Sequence, residues 1–179
     1  MKFKQDRLTQ LQIDPKDTDK CNVVTWSSGF KINRDSFDGK KRPRQLSQYN
    51  VFTDGSKMDD RTGAGLVLYK GNREISQEWY RLNDGSTVFQ AEVAAIARAA
   101  EVLADMNVSN MRFVKHFVDS QAAILAVGNP HISSKLVARA VDSLNRLAEV
   151  VQSVTLTWIP AHKGHKGNEL ADELSLIHI

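Results

Sequence analysis

From Tyr49 onward the apolar positions follow two rhythms. "YNVFTDGS" reads as a strand, and "GAGLVLYKGNREISQEWYRL" as two more strands around a Gly71-Asn72 turn. "STVFQAEVAAIARAAEVLADM" then shifts to helical spacing, with Ser86 or Thr87 as N-cap. "MRFVKHFVD" predicts a strand, and "SQAAILAVGN" a short helix closed by Gly128. "SSKLVARAVDSLNRLAEVVQ" predicts a longer amphipathic helix and "SVTLTWIP" a strand. "GNELADELS" starts a last helix, with Asn168 as its N-cap. Three early strands followed by alternating helices and strands predict an α/β fold on a mixed sheet.

The first 48 residues lack this regularity. "IDPKDTDK" and "FDGKKRPRQ" read as loop and linker, separated by the short apolar piece "VVTWSSGF". The expected division is a basic leader over 1–48, with "VVTWSSGF" as a strand or a remnant of an upstream domain, and one globular domain over 49–179. Charge follows it. Residues 1–48 hold 11 Lys+Arg against 6 Asp+Glu, a net of +5; residues 49–179 hold 13 against 15, a net of −2. The densest piece, "KKRPR" at Lys40–Arg44, is either a solvated linker or a phosphate-contacting arm. No stretch approaches the roughly 20 apolar residues of a membrane span. "MKFKQDRLTQ" has no apolar signal core. Cys21 is the single cysteine, so no internal disulfide forms. These features point to an intracellular protein, cytoplasmic or nuclear.

Several carboxylates sit where carboxylates are costly. On its helix, Glu92 shares a stripe with Val88, Ala95, Ile96, Ala99 and Leu103, opposite Gln90, Arg98, Glu101 and Asp105. It reads as a buried ion pair with a Lys or Arg, as an end of the stripe that reaches water, or as a metal ligand or acid-base group. Asp119 ends a strand, where α/β sheets tend to bind ligands, but an N-cap role fits it too. Asp54 precedes Gly55 in what is also an ordinary turn tripeptide. Lys57–Thr62 supplies a better turn, which leaves Asp54 within or at the end of the strand. Asp172 lies four residues after Asn168 on one helix face, where a first-turn acid is also expected. His162 opens the loop "HKGHKG"; His165 reads as a surface histidine. Clustered carboxylates repel unless a cation sits among them. Oxygen ligands suit Mg²⁺ or Mn²⁺, and no Cys/His set has zinc spacing. Two such ions roughly 4 Å apart can activate a water and stabilise the leaving oxygen of a phosphodiester.

"FTDGS", "QAEVAAI", "VDSQAAI" and "WIPAHKGHKGNELADELS" together resemble the type 1 ribonuclease H domain. The order and spacing of the four motifs carry the likeness, which runs from about Tyr49 onward. The "QAE" helix and "GNELADELS" look most like the versions in reverse transcriptases of non-LTR retrotransposons. The resemblance implies an RNase H-like fold: a mixed five-stranded sheet, three antiparallel strands then two parallel, flanked by helices. It also implies a Mg²⁺-dependent endoribonuclease that hydrolyses the RNA strand of RNA:DNA hybrids, leaving a 3′-hydroxyl and a 5′-phosphate. Asp54, Glu92, Asp119 and Asp172 would hold two Mg²⁺ ions, with Mn²⁺ as a substitute. His162 would assist proton transfer or product release. Ser56, Gln90 and Asn168 would contact substrate, and an upstream reverse transcriptase domain would be a partner.

Departures from the family pattern change the picture. Ala161 stands where many members have Gly before the loop histidine. Val88 and Phe89 replace the Asn and Gln with which cellular relatives read the hybrid. No basic helical handle follows "SQAAILAV"; "NPHISSK" leads directly into the next helix. "SLIHI" does not continue a charged helix, so a truncation or foreign tail is expected. The rivals are a DNA-cutting nuclease or integrase of related fold, and a catalytically silent nucleic-acid-binding or connection domain. The first usually carries its last essential acid as a Glu on a late helix; here the Glu comes second. The second is at odds with acids at all four places.

Overall fold

The computed structural model of the chain describes residues 9–10, 20–38, 47–106 and 109–176. "KKRPR" and the last three residues of "SLIHI" lie outside them. The leader carries β1 (Thr9–Gln10), β2 (Lys20–Thr25) and β3 (Lys31–Asn33), then a 3-10 turn at Arg34–Asp38. The remaining strands are β4 (Tyr49–Met58), β5 (Arg61–Lys70), β6 (Arg73–Arg81), β7 (Phe113–Val118), β8 (His131–Ser134) and β9 (Ser153–Trp158). The helices are α1 (Val88–Asp105), α2 (Gln121–Val127), α3 (Lys135–Val150) and α4 (Lys166–Leu176).

The main sheet has the order β1-β6-β5-β4-β7-β9-β3. Strands β4, β5 and β6 form an antiparallel meander, and β7 and β9 run parallel to β4. These are the five strands the periodicity predicts, in the arrangement expected. The sheet is wider than expected because β1 pairs with β6 and β3 with β9, both in parallel. A separate ribbon joins β2 to β8 in antiparallel fashion. Two- and three-residue strands contain no readable period; only their partners make them strands. Ser133 and Ser134 of β8 fall inside the helix expected over "SSKLVARAVDSLNRLAEVVQ", which starts at Lys135 with Ser134 as its N-cap.

Alternation along the strands sorts the core onto two faces. Val51, Leu66, Leu68 and Val118 point into a cluster with Ile96 of α1, Ile124 of α2 and Leu144 of α3. Their neighbours Phe52, Val67 and Phe117 point the other way, onto Ala171 and Leu174 of α4. Helix α1 starts on a capping box. Thr87 Oγ accepts the amide of Gln90 at 3.1 Å, and Gln90 Oε1 accepts that of Thr87 at 2.8 Å. Of the two cap candidates Thr87 is therefore the cap, while the Ser86 carbonyl accepts Thr62 Oγ and Lys57 Nζ. Helix α4 begins two residues before Asn168. The His165 carbonyl takes the amides of Asn168 and Glu169, so Asn168 lies inside the first turn, not at the cap. Among the described residues no helix is long and apolar enough to cross a membrane.

Two glycines let helices from both faces close on the centre of the meander. A Cβ at Gly55 would stand 2.6 Å from the Glu92 amide nitrogen and 2.8 Å from Ala91 Cβ. A Cβ at Gly65 would run into Ala171 O and stand 2.9 Å from Ser175 N on α4. Asp54 and Gly65 are paired in register, so the two close approaches flank one aspartate. Gly55→Ala should therefore destabilise the fold by about 2 kcal/mol or more, because backbone faces the new methyl. Denaturant melts of the two proteins measure this, and a neutral Gly55→Ala would show that α1 does not sit so close.

Candidate metal centre

Asp54 lies well inside β4, with the ladder to β5 continuing through Met58, so the turn reading of "DGS" does not hold. Asp119 follows β7. Ser120, not Asp119, caps α2, its Oγ accepting the Ala123 amide at 3.2 Å. The Asp119 carboxylate is thereby released from local use. Glu92 is in the second turn of α1. Its stripe is buried as predicted from Glu92 onward, whereas Val88, one turn earlier, is exposed along with Phe89. The stripe outruns the sheet there, so the helix start faces solvent.

Oxygens of Asp54, Glu92 and Asp119 all lie within 4.8 Å of one another. Asp54 is 6% exposed and Glu92 5%. Burial, helped by the negative charges of Asp54 and Asp119, pushes the Glu92 carboxyl up to about 9, against a weaker opposing bond from the Gly55 amide. Burial and the Asp119 charge push Asp54 up to about 6; Asp172 adds to this, while hydroxyls of Ser175 and Ser56 act in the opposite direction. Glu92 Oε2 is buried with no hydrogen-bond partner among the described residues. Three carboxylates, two buried and Asp119 half-buried, mutually repelling and with one oxygen unpartnered, fit a hard divalent cation.

The other predicted residues surround this triad. Asp172 is not within the close set. Its Oδ1 is 3.4 Å from Ser56 Oγ and its Oδ2 is 3.6 Å from His162 Nδ1. His162 is exposed and holds a left-handed backbone, φ 52°. Ser56 Oγ also donates to Asp54 Oδ2 at 3.0 Å. Asn168 Nδ2 donates to Asp119 Oδ2 at 3.0 Å, and Asn168 Oδ1 is buried without a partner among the described residues. Gln90 spends its carbonyl on the cap of α1.

Three contacts at the site escaped sequence reasoning. Ser175 Oγ lies 2.8 Å from Asp54 Oδ2, 2.6 Å from Ser56 Oγ and 2.7 Å from the Asp172 carbonyl. Trp158 Nε1 donates to the Asp119 carbonyl at 2.8 Å. Beneath Asp54, Thr53 Oγ1 is 2.9 Å from Nε2 of His116, a fully buried imidazole whose pKa burial lowers to about 3. Polar residues inside an apolar run were the available signal for Thr53 and His116. Ser175 and Trp158 offered none.

The family model described as RNase H matches residues 46–176. The chain belongs to the RNase H family. Among its RNase H relatives, the ribonuclease H of Mannheimia succiniciproducens is 27% identical over 134 residues, covering 72% of the chain and 85% of the relative. That of Pectobacterium atrosepticum is 29% identical over 136 residues, covering 72% and 87%. The fold is similar to RNase H1 from Halobacterium salinarum, with TM-score 0.55 at 20% identity over 72% of the chain and 95% of that protein. It is also similar to the N-terminal RNase H domain of a Mycobacterium tuberculosis protein, with TM-score 0.58 at 14% identity over 71% and 89%. As an RNase H the chain is a nuclease of the hydrolase class.

The raised Glu92 pKa has a measurable sign. The folded, metal-free protein keeps a proton that the unfolded chain releases. The stability from that proton is complete below the unfolded value of 4.5 and is lost as pH rises towards about 9. In EDTA the parent's melting temperature should therefore fall between those pH values. Glu92→Gln should flatten that slope and be more stable than the parent at pH 8 by on the order of 1 kcal/mol or more. Parallel slopes in thermal scans of the two proteins would mean Glu92 is not the strained group.

Proposed function

We propose that this RNase H hydrolyses the RNA strand of RNA:DNA hybrids with Mg²⁺ as cofactor. The observation that carries the reading is the Asp54–Glu92–Asp119 triad, with Asp54 and Glu92 buried and all three within 4.8 Å, where the β4–β7 pairing ends at Thr53 and Val118 and the second turn of α1 comes alongside. Asp54, Glu92 and Asp119 would hold the ions, with Asp172 at the rim. When bound, such ions supply activation of a water and neutralisation of charge on the scissile phosphate.

The chain's own residues do the rest. Asn168 holds the Asp119 carboxylate, and Ser56 and Ser175 hold that of Asp54, so ligands meet an ion already oriented. His162 turns Nδ1 towards Asp172 and leaves Nε2 to carry a proton to the departing 3′-oxygen. Discrimination for RNA rests on the 2′-hydroxyl and groove shape. Exposed Val88 and Phe89 stand beside the site in place of polar readers, so apolar contact replaces hydrogen bonding there. The reverse-transcriptase look of "QAE" and "GNELADELS" supports a setting beside a polymerase domain, which would supply the grip of the missing basic handle.

Cleavage of labelled hybrid, duplex RNA and duplex DNA, with Mg²⁺ and with EDTA, tests this directly. Hybrid alone should be cut, and only with metal. Asp54→Asn should lower the rate by about a thousandfold, as loss of an ion-holding charge worth several kcal/mol implies. It should also melt higher than the parent in EDTA and gain less from Mg²⁺. Equal cutting of duplex DNA, or an active Asp54→Asn with a full Mg²⁺ response, removes the reading.

Lys40, Lys41, Arg42 and Arg44 are proposed to contact phosphates. Replacing all four by Gln should weaken hybrid binding at low salt. The slope of log affinity against log salt should fall by up to about 0.9 for each phosphate left without its cationic side chain. An unchanged slope makes the segment a linker. Substitution is the better probe than deleting the leader, since β3 is built into the sheet.

A further inference from the structure

The end of the leader is joined to the metal centre by a short chain of contacts. β3 sets Lys31, Ile32 and Asn33 opposite Thr155, Leu156 and Thr157 of β9. The 3-10 turn that follows brings Ser36 to the end of β9, where it is 4% exposed. Its hydroxyl donates to the Asn33 carbonyl at 2.6 Å and accepts the Trp158 amide at 3.0 Å. One buried oxygen thus ties the turn to the last residue of β9. Trp158 lies opposite Val118, the residue before Asp119, and its indole donates to the Asp119 carbonyl. Beside it, Gln121 Nε2 donates to the Phe37 carbonyl at 3.3 Å.

Ser36 also fits a simpler role, as a staple that keeps an edge strand in place. Two observations extend it. Asp119 belongs to neither β7 nor α2, so no backbone ladder fixes its carbonyl. Ser36 and Phe37 hold groups at and just after that link, Trp158 touching Asp119 itself and Gln121 lying two residues beyond it. We propose that Ser36 is a positioning residue for Asp119, acting through Trp158, and that Lys31–Asp38 is thereby a working part of the metal centre. The proposal rests on the reading of Asp119 as a metal ligand.

Mg²⁺ binding is measured by calorimetry on the full chain, alongside kcat and KM for hybrid cleavage. Ser36→Ala should weaken Mg²⁺ binding about tenfold, the lower range for loss of a partner behind a metal ligand. It should lower kcat with little change in KM. Trp158→Phe keeps most of the ring and removes the indole N–H; it should act in the same direction. The double variant should be no worse than Trp158→Phe alone, since both act along one path. Ser36→Thr, which keeps the hydroxyl, should bind Mg²⁺ as the parent does. A Ser36→Ala that melts lower but binds Mg²⁺ like the parent would reduce Ser36 to an edge staple and overturn the proposal. If Ser36→Ala does not fold, a folded Trp158→Phe with parental Mg²⁺ affinity overturns it equally. A parent with no Mg²⁺ response at all would remove the metal reading itself, and that result needs no variant.

Discussion

Negative charge held out of water is the condition around which this molecule is arranged. Asp54 and Glu92 come from β4 and α1 and are buried; Asp119, the residue after β7, is half-buried and meets them. Without a cation the arrangement opposes folding, since burial and mutual repulsion both favour the protonated forms. The surrounding packing must therefore overcome it. Gly55 allows α1 to press Glu92 against β4, and Gly65 allows α4 to bring its hydroxyl and carbonyl groups alongside Asp54. The apolar clusters on both faces supply the stabilisation that tolerates such a strained centre.

The same residues explain how much could be read from the sequence. The five central strands and four helices were legible because each carries its own rhythm over six or more residues. Glu92 was legible because a carboxylate on an apolar stripe breaks the pattern. Asp54 and Asp119 were ambiguous for a physical reason: an aspartate before Gly or before a helix has an equally good local use. Only the ladder continuing past Asp54 and the capping by Ser120 exclude those uses. Asn168 was misjudged in the opposite sense, since its side chain serves Asp119 and not its own helix start. Strands β1, β3 and β8 were not legible, because pieces that short exist only through a partner remote in sequence.

The leader changes meaning once those partners are known. Its charge pattern sets it apart from the following domain. Its backbone does not: β3 completes the sheet beside β9, and β2 covers β8. A segment that reads as a tether by composition can still be structural where its hydrogen bonds go into the sheet.

Strand β3 and its neighbour β9 lie almost a whole domain apart along the chain. During synthesis β3 emerges before the meander and α1, and its partner β9 after them. Pairings between such distant segments form late, because long loops must close before any contact rewards them. The sheet edge beside Trp158 is thus finished last, after the meander and α1 have had time to assemble. The meander and α1 will have left the ribosome before β3 can take its place against β9.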